Sequence, residues 1–129
     1  ANATIKFKTA TPGQNVDTKR VLLPIIGYLR IFALKHKIDS LNSMERLEIL
    51  NKIEQINAET TNEIKQVYNF LMTLRIKYQV RRILENDNPE NIVPAEQLTS
   101  LETSTLKKSM DLLARLNQHL SLEFMKGNG

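Results

Sequence analysis

The sequence predicts an all-α fold: an antiparallel four-helix bundle carrying a short extended N-terminal arm. Three observations predict it. Only 4 Gly and 4 Pro interrupt 129 residues, which leaves room for long helices and little for many short strands. Apolar residues recur at spacings of three and four in four separate segments. A capping residue followed three positions later by glutamate occurs at Asn42/Glu45, Thr60/Glu63 and Thr99/Glu102, each pair able to satisfy orphan amides at a helix start. The links are short except the last, and short links force neighbouring helices to run in opposite directions.

Residues 1–16 combine the alternating Ile5-Lys6-Phe7-Lys8 with the turn formers Thr11-Pro12-Gly13-Gln14-Asn15, and read as an extended arm or linker from an upstream catalytic domain. A lone strand is unstable, so Ile5 and Phe7 need a partner on the helices or outside the chain. Residues 17–126 form the bundle and 127–129 a tail. Pro24 suits the first turn of a helix, so helix one is expected from Pro24, or earlier from Thr18, to Lys37, with Ile25, Ile26, Leu29, Phe32 and Ala33 inward. Helix two is expected over Ser43 to about Ile56, burying Leu47, Leu50, Ile53, Ile49 and Ile56. Helix three, the longest and most buried, spans about Thr61 to Glu85, with Ile64, Val67, Leu71, Leu74 and Tyr78 as its stripe and Phe70, Ile76, Val80, Ile83 and Leu84 on flanking faces. Asn88-Pro89 stops it. Pro94 starts one helical turn, and helix four runs from Ser100 to Lys126 on Leu106, Met110, Leu113, Leu116, Leu120 and Phe124.

Hydrophobic residues at 41% and charged residues at 25% match an ordinary folded domain. The absence of Cys excludes disulfides, thiolate metal sites and cysteine nucleophiles. No apolar run is long enough to span a bilayer and no signal-type segment opens the chain, which fits a cytoplasmic setting. The net charge of +4 is concentrated in the first third, where Lys6, Lys8, Lys19, Arg20, Arg30, Lys35 and Lys37 face only Asp17. Such an excess attracts phosphate-bearing ligands or an acidic protein surface, and it also describes an ordinary solvated face.

Nucleotidyl transfer needs metal-binding carboxylates and a phosphate cradle. The chain has neither a Gly-rich loop nor an Asp-x-Asp pair, so no catalytic residue and no metal ligand is assigned. His36 and His119 lack a second ligand at helical spacing. Arg30 and His36, with five residues between them, match the Arg-x4-6-His element of helical ribonucleases of the HEPN type; equally, His36 suits a helix C-terminus, where the dipole favours a cation. Arg75 and Gln79 stand one turn apart on helix three, and a buried Arg there anchors a network or meets an anion in a cleft. With no Trp and its other aromatics in core stripes, the chain lacks the stacking platform of a nucleic-acid binder.

The order of elements carries a resemblance. Leu23-Pro24-Ile25-Ile26, Arg30 and Ala33-Leu34-Lys35-His36 come first, followed by Glu45-Arg46-Leu47 and by Phe70-Leu71-x-x-Leu74-Arg75-x-x-x-Gln79. Asn88-Pro89-Glu90-Asn91-Ile92-Val93-Pro94 and Leu98-Thr99-x-x-Glu102-x-x-x-Leu106-Lys107 complete the series. Together they resemble the C-terminal substrate-binding domain of bacterial nucleotidyltransferases of the kind linked to cyclic-nucleotide-binding and CBS domains. The resemblance implies a non-catalytic bundle packed on an upstream domain similar to the protein-modifying uridylyltransferases of nitrogen signalling. That domain would use a nucleoside triphosphate and Mg, and the acceptor would be a protein or a small molecule. Matching polar positions are Arg30, Glu45, Arg46, Arg75, Gln79 and Asn91, with Gln118 near the end of helix four. Of these, Arg30, Arg46, Arg75, Gln79 and Asn91 are the candidate residues for the surface facing the active cleft. Where relatives tend to carry a small residue after the helix-one basic cluster, this chain has Lys37. Two rival readings stand beside this one: a helical ribonuclease using Arg30 and His36, and a regulatory bundle that acts by homodimerisation.

Overall fold

The computed structural model describes residues 15–88 and 92–126. Strand β1 (Asn15–Asp17) leads directly into helix α1 (Thr18–Lys35). Helices α2 (Ser43–Lys52) and α3 (Ala58–Leu84) follow, then strand β2 (Ile92–Pro94), a 3-10 turn (Ala95–Gln97) and helix α4 (Ser100–Lys126). The expectation of an all-α fold holds. α1 touches each of the other three helices, and one core unites them: Ile25, Leu29 and Phe32 of α1, Leu47 and Leu50 of α2, Ile64 and Leu71 of α3, and Leu106 and Leu112 of α4 are all fully buried.

The small sheet was not legible from the alternating residues. β1 pairs antiparallel with β2, Asn15 opposite Pro94, Val16 opposite Val93 and Asp17 opposite Ile92. Val16 and Val93 turn into the core, which gives the pair the apolar backing a short ribbon needs. Ile5 and Phe7 lie outside the described residues.

Asp17 ends β1 and caps α1, its carboxylate accepting from the Lys19 amide at 3.1 Å. α1 therefore begins at Thr18, the earlier of the two expected starts. Pro24 lies inside it, where it withholds the amide that would serve the Arg20 carbonyl. Burial of Thr18, Val21 and Leu22 offsets that cost by holding the first turns on the core.

Asn42 caps α2 by accepting from the amides of Met44 and Glu45, while its own amide donates to Ser40 Oγ rather than to Glu45. α2 ends at Lys52, four residues before the expected Ile56. Glu54 takes a left-handed φ of 62°, and the Gln55 amide donates to the Leu50 carbonyl at 2.9 Å. This is the Schellman turn, which satisfies the last carbonyls and stops the helix. Ile53 is consequently 43% exposed, whereas Ile56, past the turn, folds back into the core. The same motif ends α1 at Lys37 (φ 56°) and α3 at Asn86 (φ 57°).

α3 starts three residues earlier than the Thr60/Glu63 pair predicts. Asn57 is its cap, accepting from the Thr60 amide at 2.8 Å, and Glu63 is left to pair elsewhere. The predicted stripe from Ile64 to Tyr78 is buried throughout. The C-terminal half departs from the expectation of a mostly buried helix: Ile76, Val80, Ile83 and Leu84 are exposed, while Leu74 and Tyr78 in the same stretch stay buried. Tyr78 Oη donates to the Gln97 carbonyl at 2.9 Å, and Lys77 pairs with Glu102 at 3.1 Å, fixing the 3-10 turn that follows Pro94. α4 has the predicted bounds, and its Thr99/Glu102 capping box is reciprocal, at 2.9 and 3.0 Å. Its inward stripe includes Leu112 and Ser109 as well as the predicted leucines, while Phe124 at its far end stays 38% exposed.

Candidate functional site

A cleft of about 400 Å³ opens where α1, the α2–α3 turn and the middle of α4 meet. Helical spacing places Leu112, Arg115, Leu116 and His119 on one face of α4. Leu112 and Leu116, with Ile56 from the turn, form an apolar floor. Glu54, Gln55 and Asn57 supply polar groups from the turn, Thr60 one from α3, and Tyr28 closes the wall from α1. The cleft depends on the Glu54 turn, because a continuing helix would carry this segment past α4.

Tyr28 Oη and His119 Nδ1 are 2.7 Å apart. Burial pushes the Tyr28 phenol above its ordinary value, and the Glu123 carboxylate adds to the shift. The phenol therefore keeps its proton, and its hydroxyl donates to Nδ1 when the imidazole carries its hydrogen on Nε2 and accepts from Nδ1 when the hydrogen is there. The ring is held from a second side by Phe32, stacked at 4.9 Å between centroids. Phe32 also meets Tyr28 at 4.8 Å and Phe124 at 6.0 Å, and Lys35 sits 5.4 Å over the Phe124 ring and 3.7 Å from Glu123. An imidazole restrained by both Tyr28 and Phe32 is a positioned hydrogen-bonding group rather than a mobile one.

Arg115 on the lip is forked onto Glu63, Nη1 to Oε1 at 3.0 Å and Nη2 to Oε2 at 2.5 Å. The hydrogen bond from Arg115 holds the Glu63 carboxyl below the usual range. Asp111 and Glu59 also lie within electrostatic reach of Arg115. The cleft thus presents donors and acceptors around an apolar floor, an arrangement suited to binding. Among the described residues no group of three or more His, Cys, Asp or Glu could hold a metal ion, and no helix is long and apolar enough to cross a membrane.

The sequence candidates fall elsewhere. Arg30 is exposed on the outer face of α1. Arg46 is half-buried, its Nε donating to the Ser40 carbonyl at 2.7 Å, which braces the turn ahead of α2. Arg75 and Gln79 are half-buried one turn apart on α3, and both are engaged by other groups. Asn91 lies outside the described residues. Glu45 and Gln118 are exposed. Among the described residues, none of these candidates lines the cleft, and of them the structure brings together Arg75 and Gln79. His36 caps the C-terminus of α1, and its Nε2 is buried without a hydrogen-bond partner among the described residues. A step of six residues turns the helix by roughly 600° and climbs about 9 Å, so Arg30 and His36 do not face one another. The residues that sequence reasoning missed are Tyr28, Arg115 and His119. The available signal was His119 at stripe spacing from Leu112 and Leu116, an imidazole on an apolar face.

Comparison with known proteins supplies the context. Residues 3–124 match a family described as "Putative nucleotidyltransferase substrate binding domain". The chain belongs to that family. The match spans α1, α2, α3, the cleft and α4 as far as residue 124. No curated protein and no solved structure matches the chain.

Proposed function

We propose that this bundle is the non-catalytic docking domain of a nucleotidyltransferase and that the Tyr28–His119 cleft receives the acceptor substrate. The observation that carries the reading is the restrained imidazole over an apolar floor in a family of substrate-binding domains. Binding energy held at such a site orients an acceptor without taking part in bond making. On this reading the nucleoside triphosphate and its Mg ion are held by the companion catalytic domain, where the metal-binding carboxylates and phosphate cradle of nucleotidyl transfer would lie. Arg46, Arg75 and Gln79 act on this reading as supports of the surface turned toward that domain.

The test is steady-state kinetics of the polypeptide that joins bundle and catalytic domain, comparing wild type with His119→Ala and Arg115→Ala. Removing a binding contact raises the acceptor KM, by about tenfold for a loss of ~1.4 kcal/mol, and leaves the nucleotide KM unchanged. Nucleotide turnover by the 129-residue chain alone, or a collapse of kcat with acceptor KM unmoved, sinks the reading.

A further inference from the structure

α1 is apolar on two sides. Its core side is Val21, Ile25, Leu29 and Phe32. At 3.6 residues per turn, Arg20, Leu23, Gly27, Arg30, Ile31 and Leu34 fall within an arc of roughly 100° centred on the opposite side. Leu23 is 51%, Ile31 37% and Leu34 68% exposed. A helix facing water on that side carries polar residues there; this one carries three large aliphatic side chains in a row.

Gly27 stands in the middle of that row. It costs helix stability relative to alanine, and nothing inside the bundle requires it: a Cβ at this position meets no atom within 4 Å. A glycine kept without an internal reason, between Leu23 and Ile31, leaves a notch into which another helix can settle at short interaxial distance.

Charge selects the occupant. Arg20 and Arg30 flank the row, are exposed, and have no ion-pair partner among the described residues. α1 contains no Asp or Glu, so a second copy packed on the same face would bring arginines together with no carboxylate between them. We propose that the outer face of α1 docks a helix of an acidic partner protein, one whose apolar seam is bordered by carboxylates. The inference stands apart from the acceptor cleft, which lies on the other side of the helix at Tyr28, and does not depend on the nucleotidyltransferase reading.

The experiment uses the intact chain and two synthetic amphipathic helices with the same leucine seam, one flanked by glutamates and one by lysines, followed by fluorescence anisotropy. The glutamate-flanked helix binds at least about tenfold more tightly, by charge complementarity. The double variant Arg20→Glu/Arg30→Glu inverts that preference. Gly27→Ala raises Tm by about 2–5 °C through helix propensity while weakening binding about fivefold or more, a combination no folding defect produces. Equal binding of the two probes, no saturable binding, or unchanged affinity in Gly27→Ala overturns the proposal. So does self-association in sedimentation that Leu34→Glu disperses, or saturable binding to phosphatidylserine vesicles that exceeds binding to the glutamate-flanked helix.

Discussion

Tyr28 and His119, 91 residues apart in sequence, meet through a 2.7 Å hydrogen bond that ties the middle of α1 to the far half of α4. Tyr28→Phe keeps the ring packing on Phe32 and removes only the hydroxyl, leaving Nδ1 half-buried and unserved. The expected cost is about 1–2 kcal/mol, read as a lower urea midpoint with unchanged m. The His119 15N shifts should also change, since Nδ1 loses its hydrogen-bond partner; unaltered shifts would show that the bond does not set the ring.

Packing makes a sharper contrast between two leucines of the same helix. Leu71 is fully buried and Leu84 is 77% exposed. Leu71→Ala should destabilise by about 2–5 kcal/mol and Leu84→Ala by no more than ~0.5 kcal/mol. Denaturant unfolding of both variants checks this, and comparable losses would contradict the inside–outside assignment of α3.

Helix ends give a stabilising prediction. Lys37 and Glu54 occupy left-handed positions that burden any side chain with a Cβ. Lys37→Gly and Glu54→Gly should each add about 0.5–1 kcal/mol. Asn86→Gly should add little, because Asn tolerates this conformation. Calorimetric Tm values for the three variants decide the matter.

Acid should act through the start of α4. Partial burial of Glu102 works against its ionisation, but the Thr99 amide and the Lys77 ammonium outweigh it and hold the carboxyl below its ordinary value of 4.5. With the folded value depressed, the stabilisation is full above that ordinary value and is lost as pH falls through the lowered one. Glu102→Gln should therefore reduce stability at neutral pH by about 1 kcal/mol and flatten the decline below pH 4.5. Parallel pH profiles for variant and wild type would exclude this role for Glu102.

Much of the fold is written locally, and the site is not. The stripes of α3 and α4 and the Thr99/Glu102 box follow from spacing alone, because each involves neighbours within one or two turns. Asn57 was missed as a cap since Thr60/Glu63 offers the same chemistry three residues on; Glu63 is instead drawn to Arg115, 52 residues away. The end of α2 was missed because Glu54 does the work usually left to glycine. The cleft depends on these two misread points and on the Tyr28–His119 contact, which no short-range pattern contains. Arg30, Arg46, Arg75 and Gln79 stood out as charged or amide groups on apolar helices, and Arg46 shows how such a residue can be spent on bracing a turn.

The β1–β2 clip has a mechanical consequence. Since Asp17 both closes a strand and opens α1, tension reaching the bundle along the backbone from its N-terminal side loads that three-residue ribbon in shear first. The ribbon also holds the stretch between α3 and α4, so slipping it would loosen two distant parts of the chain in one event, a fuse placed ahead of the helices it protects.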